Sequence, residues 1–139
     1  MSRPTAEADW RRRFAAARVA RLASADADGV PHVVPVTFAV EGDRIWTAVD
    51  HKPKRTRALK RLANIEANPR VALLADEYRD DDWSALWWVR ADGSAFVVES
   101  PATAVEALAA RYEQYRERPP EGPAIAIDVE RWSGWSAAG

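Results

Sequence analysis

The 139-residue sequence contains no cysteine. Disulfides, thiolate metal sites, iron–sulfur clusters and a cysteine nucleophile are excluded on that ground alone. Histidine occurs only at His32 and His51, too sparse and too isolated for a metal centre, so no metal is expected. No apolar run approaches the roughly 20 residues that a membrane span requires. Asp9 and Arg11–Arg13 break up any signal-peptide core near the N-terminus. A cytoplasmic protein without a membrane partner is the expectation. There is no Gly-x-Ser-x-Gly elbow, no Walker loop and no Gly-x-Gly-x-x-Gly, so hydrolase and P-loop chemistry have no support. Lysine is scarce as well. Only Lys52, Lys54 and Lys60 occur among 20 basic residues, and all three fall within nine positions.

What is present is an ordinary globular composition, 47% hydrophobic and 29% charged, in a chain long enough to bury a core as one domain over residues 1–139. The net charge of −1 conceals an asymmetry: residues 1–70 carry 14 basic against 8 acidic residues, and residues 71–139 carry 6 against 13. A near-neutral total argues against bulk nucleic-acid binding, while the uneven split suggests a local anion site or two halves that attract. Tryptophan is over-represented, with seven residues, three of them (Trp83, Trp87, Trp88) within six positions. Such rings serve in core packing, in interfaces and around flat ligands.

Periodicity supplies the elements. Trp10, Phe14 and Ala17 mark a helix over residues 6–18. Val19–Ala25 reads as a strand, and Asp26–Gly29 as a turn. Val33–Val40 reads as a buried strand that Pro35 pushes to an edge or a bulge. A turn at Glu41–Asp43 leads into Arg44–Val49, and the three strands read as an antiparallel meander. Leu59, Leu62, Ala63 and Ile65 give helical spacing up to Asn68-Pro69. Strands follow at Arg70–Ala75, Leu86–Val98 and Ala124–Trp132. Asp92-Gly93 makes the second of these a hairpin by turn rules, or one long strand with a bulge. Ser100-Pro101 reads as a serine-capped start of a helix ending near Arg118. Six or more mostly antiparallel strands with flanking helices imply a small closed or partly closed barrel.

The segment Asp50–Arg61 holds the strongest chemical signal. Lys52, Lys54 and Arg55 precede or open a helix whose free N–H groups and dipole favour an anion, and Thr56 adds a hydroxyl. A phosphate or carboxylate is the natural guest; a solvated basic face is the alternative. Arg57, Lys60 and Arg61 lie further along the helix and are expected to be solvated. The acidic loop Asp76–Asp82 lacks EF-hand spacing and reads as solvated, or as facing a basic loop of another subunit.

Taken together, Arg18–Ala23, Gly29–Val36, Asp50–Arg55, Asn64-Ile65 with Asn68–Val71, Asp82-Trp83 with Leu86–Arg90, and Gly93–Ala95 resemble the pyridoxamine 5′-phosphate oxidase-like split β-barrel superfamily. Within it they resemble the small group that depends on the deazaflavin coenzyme F420. The order and spacing of these stretches over residues 15–100 carry the resemblance, rather than any one of them. It implies a mainly β fold, a six-to-seven-stranded antiparallel split barrel with flanking helices, and favours one long bulged strand over the hairpin. It also implies a homodimer with cofactor sites at the interface, binding F420 or, alternatively, FMN. Under it, Lys52, Lys54, Arg55 and Thr56 would hold the cofactor phosphate. Pro35, Val36 and Thr37, with Trp46 and Thr47, would line the ring. His32 would reach the ring's polar edge, and Trp83, Trp87 and Trp88 would close the site from the other subunit. The chemistry would be the cofactor's own hydride transfer to a small organic acceptor, so no residue is named as catalytic acid or base. A non-catalytic flavin or F420 carrier is a competing reading. Single-stranded nucleic-acid binding by tryptophan stacking is a third, and the acidic second half counts against it.

Overall fold

A computed structural model describes residues 6–49 and 55–138, with the side chains of the second helix from Lys60 onward. Four helices, α1 (Ala6–Ala16), α2 (Arg55–Ala67), α3 (Ala102–Arg111) and α4 (Glu113–Glu117), surround seven strands. The strands are β1 (Ala20–Ala25), β2 (Pro31–Val36), β3 (Ala39–Glu41), β4 (Arg44–Ala48), β5 (Arg70–Glu77), β6 (Trp87–Val98) and β7 (Ala124–Ser136). They form one sheet in the order β2-β1-β5-β6-β7-β4-β3, and every neighbouring pair is antiparallel. This is the mainly β, seven-stranded arrangement with flanking helices expected of a split barrel. None of the helices among the described residues is long and apolar enough to cross a membrane.

The local turns follow their residues. Asp26 Oδ1 accepts from the N–H groups of Asp28 and Val30, both at 2.9 Å, and Gly29 takes a φ of 82° that a side chain would resist. α2 ends before Asn68-Pro69, where the proline blocks helical continuation.

The meander is corrected. The run Val33–Val40 is two strands, β2 and β3, which break at Thr37-Phe38 and lie at opposite ends of the sheet order. β2 pairs with β1 and β3 with β4, but β2 and β3 do not pair with each other. The edge position that Pro35 implied is the one β2 occupies. Two helix boundaries also differ. Pro101, rather than Ser100, stands at the cap of α3, with no side-chain cap bond. The helix expected to run to Arg118 is interrupted at Tyr112, whose backbone is extended (φ −120°, ψ 120°), and resumes as α4.

Leu86–Val98 contains one strand, not a hairpin. β6 runs unbroken from Trp87 to Val98 and pairs along its length with β7, with a register shift at Asp92/Gly93. The reason is contact. A Cβ on Gly93 would lie 2.1 Å from the backbone oxygen of Asp128, so only glycine lets the two strands approach there. Asp92-Gly93 therefore bends a continuous strand. Its first half serves β5, while the first half of β7 serves β4.

The core lies inside the curl of the sheet. Phe14 of α1 is fully buried, 4.8 Å from the Phe38 ring and 5.4 Å from the Trp132 ring in an edge contact. Leu22, Ile45, Leu73, Val89, Ile125 and Ile127 fill the space from five strands.

Gly93→Ala is expected to destabilise the fold by about 1–3 kcal/mol through overpacking against backbone that cannot move aside. Gly122→Ala, where a Cβ would meet nothing closer than 3.5 Å, should be nearly neutral. Urea unfolding of the two variants against the parent measures the difference.

Candidate functional site

The break at Thr37-Phe38 carries the chain from one end of the sheet to the other, and its backbone groups find partners outside any ladder. Phe38 N–H donates to Tyr112 Oη at 3.3 Å, and the Phe38 carbonyl accepts from Arg111 Nη1 at 2.9 Å. The Thr37 carbonyl accepts from Thr47 Oγ1 at 2.8 Å. Tyr112 Oη in turn donates to the Arg18 carbonyl at 2.9 Å, and Arg111 Nη2 donates to the Ala17 carbonyl. Burial pushes the Arg111 guanidinium down from its ordinary value. It remains a cation, because arginine starts so far above neutrality. These bonds explain the interruption at Tyr112: the extended residue aims its hydroxyl at the crossover.

Beside the crossover lies a cavity of about 240 Å³ lined by Pro35, Val36, Thr37, Thr47, Ala48, Arg61 and Tyr115. Its polar wall is a row of hydroxyls. Thr37 Oγ1 and Tyr115 Oη are 2.7 Å apart, and Thr47 Oγ1 is already committed to the Thr37 carbonyl. Arg61 also lines the cavity. Its Nε is buried and has no hydrogen-bond partner, and no ion pair to Arg61 occurs among the described residues. Burial alone pushes this group's proton affinity down. A cavity of this size is smaller than the roughly 300–1,000 Å³ of whole-ligand pockets, so it receives part of a larger molecule.

The solvated Arg61 of the sequence reading is thus corrected: Lys60 is exposed, but Arg61 is half-buried. Arg61 shares a helix face with Asn64, 3% exposed, and Ile65, 1% exposed, at the i, i+3 and i, i+4 positions. Asn64 Nδ2 donates to Ser24 Oγ at 3.5 Å, fixing that face of α2 against β1. The spacing to Ile65 was the available signal, masked by the expectation that a charged residue in a basic run points outward.

Of the sequence-predicted residues, the structure brings Pro35, Val36, Thr37 and Thr47 together around this cavity. Trp46 lies apart from them. Adjacent residues of a strand face opposite sides, so with Thr47 toward the cavity Trp46 is 6% exposed, packed with Ala104, Ala124 and Ala126, and its Nε1–H donates to Glu41. His32 pairs across from Ser24, about 13 Å along β2 from Val36 by strand rise, and its buried Nδ1 has no partner. Trp83 is 65% exposed on a 3-10 turn (Trp83–Ala85). The Trp87 indole donates to Glu77 at 3.1 Å and lies under the Arg13 guanidinium. Trp88 lies on the outer sheet surface with Val33, Leu74, Ala23 and Ala72. Lys52 and Lys54 fall outside the described residues; Arg55 and Thr56 form the first turn of α2, and their side chains are likewise outside.

Comparison with known proteins places these observations. The family described as pyridoxamine 5′-phosphate oxidase matches residues 6–136. A comparison with curated proteins finds no match. Among solved structures, a FAD-binding protein of Mesorhizobium loti is similar at a TM-score of 0.72 and 23% identity, covering 95% of each chain. A conserved hypothetical protein of Mycobacterium tuberculosis is similar at a TM-score of 0.67 and 21% identity, over 98% of this chain and 91% of that one. The heme storage protein HutZ of Vibrio cholerae is similar at a TM-score of 0.68 and 18% identity, over 92% and 89%. At these identities the likeness is one of fold.

Removing the hydroxyl at the crossover tests its importance. Tyr112→Phe keeps the ring but leaves a buried N–H and a carbonyl without partners, and is expected to cost about 1–3 kcal/mol in chemical denaturation. A variant as stable as the parent would show that the crossover does not depend on this bond.

Proposed function

The chain belongs to the pyridoxamine 5′-phosphate oxidase family, and from that premise we propose that it is an oxidoreductase that uses coenzyme F420 to reduce a small organic acceptor. The observation that carries this reading is the polar cavity between β2, β4 and α2, lined by the hydroxyl-bearing Thr37, Thr47 and Tyr115 and by half-buried Arg61, whose buried Nε has no partner. A half-buried cation without a carboxylate partner among the described residues suits a protein whose ligand brings the opposite charge. The residues present therefore fit an anionic, hydrogen-bonding cofactor.

Such a cofactor supplies hydride transfer when bound. The chain's own part is to bind and orient it. Lys52 and Lys54, which precede α2 in the sequence, with Arg55 and Thr56 of its first turn, would hold its phosphate. Pro35, Val36 and Thr37 would support it from the β2 side, and Thr47 from β4. No proton donor of the chain is assigned a step. FMN is the second reading, which the FAD-binding relative in Mesorhizobium loti favours.

We further propose that the protein acts as a homodimer, packing the outer face of β2, β1, β5 and β6 against a second copy. Val33 is 61% and Leu74 39% exposed there, beside Trp88. Arg21 and Arg90 share the face with Asp76, so it carries both signs and can complement itself across a two-fold axis. Pro35 alternates with Val33 on the same side of β2 and also borders the cavity. A second copy on this face would adjoin the site.

Fluorescence titration with F420 and FMN tests the cofactor. F420 is expected to bind more tightly, and Lys54→Ala/Arg55→Ala to weaken it by tenfold or more, about 1.4 kcal/mol. Preference for FMN would replace F420 in the assignment, and binding of neither would end it. For the dimer, light scattering after size exclusion should give twice the chain mass for the parent and the monomer mass for Leu74→Glu. A monomeric parent would sink the proposal.

A further inference from the structure

We propose that Pro31 and Pro35 close the exposed edge of β2 to a further strand, above all to the β2 of a second copy, and so keep copies of this chain from joining edge to edge. The proposal is independent of the cofactor reading.

The register decides which way the backbone groups of β2 point. In an antiparallel ladder, opposite residues alternate between pairs that exchange both N–H···O bonds and pairs that exchange none. Pro31 lies opposite Ala25, and Pro35 opposite Arg21. Proline has no N–H, so both fit the pairs that exchange none. Being four residues apart, they make the same assignment twice. The pairs that exchange bonds are then His32 with Ser24, Val34 with Leu22 and Val36 with Ala20. The backbone groups of Pro31, Val33 and Pro35 point away from β1. β2 ends the sheet order, and no other backbone partner of Val33 occurs among the described residues. The outer edge therefore carries three carbonyls and a single N–H, that of Val33.

Such an edge needs protection. β2 has six residues, about 20 Å by strand rise, none of them acidic or basic apart from His32, and it pairs without a register shift. Val30 is 55% and Val33 61% exposed, and Pro31 and Pro35 are exposed as well. A long, apolar edge is a template for another chain. The opposite end of the sheet is protected in other ways: β3 is three residues long, ends in Glu41, and its Ala39 clusters with Leu108 of α3. On β2 the prolines take that part.

Their spacing suits the exclusion of a second copy. Antiparallel pairing of two β2 edges about Val33 sets Pro31 of one copy against Pro35 of the other, and neither can donate. In any register, residues 31–35 of the two copies offer two donors, one Val33 N–H each, where an uninterrupted edge would offer six. The remaining carbonyls would be covered without partners, which opposes association. Valine at both positions would restore every donor and leave valines from 30 to 36 interrupted only by His32.

Light scattering after size exclusion, at rising concentration of the full chain, tests the edge. Pro31→Val, which lies outside the cavity, should give species at least twice the parent's mass whose share grows with concentration. Pro31→Val/Pro35→Val should give more of them and bind thioflavin T. Pro31→Lys restores the same N–H but adds a charge to the edge, so it should keep the parent's mass. Each mass is compared with the parent's, so the outcome does not depend on whether the parent is a monomer or a dimer. Amide hydrogen exchange reads the orientation directly: in the parent Val33 should exchange at least about tenfold faster than Val34, and in associated Pro31→Val it should become protected. If both valine variants keep the parent's mass with native circular dichroism, the proposal is overturned. Pro31→Lys associating as strongly as Pro31→Val also overturns it, because association would then come from the lost stiffness of proline. Equal protection of Val33 and Val34 in the parent removes its premise. If the double variant fails to fold, Pro31→Val carries the test.

Discussion

The structure depends on how the chain pays its hydrogen-bond debt at Thr37-Phe38. A strand that crosses from one end of a sheet to the other must leave the ladder, and buried backbone groups without partners are rarely tolerated. Here Tyr112, Arg111 and Thr47 supply those partners. The Phe38 side chain is fully buried against Phe14, so the same two residues join the hydrophobic core to the polar clamp. The clamp also ties distant segments together, because Tyr112 and Arg111 reach the carbonyls of Arg18 and Ala17 at the junction of α1 and β1.

The candidate site is a by-product of this closure. Pro35 and Val36 are the last paired residues of β2, Thr37 leaves the ladder, and Thr47 and Tyr115, which bond to Thr37, wall the space beside them. Thr47 and Tyr115 have double duty, bonding to Thr37 and lining the cavity. A site built on closure residues is rigid without needing its ligand, which suits the positioning of a cofactor whose own chemistry does the work.

Charge is handled differently at the surface and in the cavity. Exposed arginines are matched to carboxylates along the strands: Arg44 with Asp128 at 2.7 Å, and Arg70 with Glu130 at 2.9 Å. The Arg70 hydrogen bond holds the Glu130 carboxyl below the ordinary range. Such exposed pairs add little to stability. Two half-buried arginines, Arg61 and Arg111, have no carboxylate partner among the described residues; Arg111 is bonded to backbone carbonyls, whereas the buried Nε of Arg61 has no partner.

The elements themselves were legible because they depend on local rules. Asn68-Pro69 stops α2, Asp26–Gly29 turns, and alternation in Ile125, Ile127 and Val129 marks β7. Pro35 announced an edge strand, and four of the five residues expected to line the ring meet at one cavity. Trp46 went astray by the one-residue parity of a strand, and Arg61 by the bias that sends charged residues outward. By itself the sequence determined the class of fold, the order of its elements and a basic helix start suited to an anion, because propensity, periodicity and charge act over a few residues. The tertiary structure alone decided that Val33–Val40 is split between two sheet ends and that Arg61 and Tyr115 line one cavity, and it settled the open choice at Asp92-Gly93 in favour of the bulged strand that the family resemblance implied over the hairpin of the turn rules. Each of those depends on atoms more than thirty residues away: the Asp128 carbonyl against Gly93, and Tyr112 and Tyr115 against the crossover.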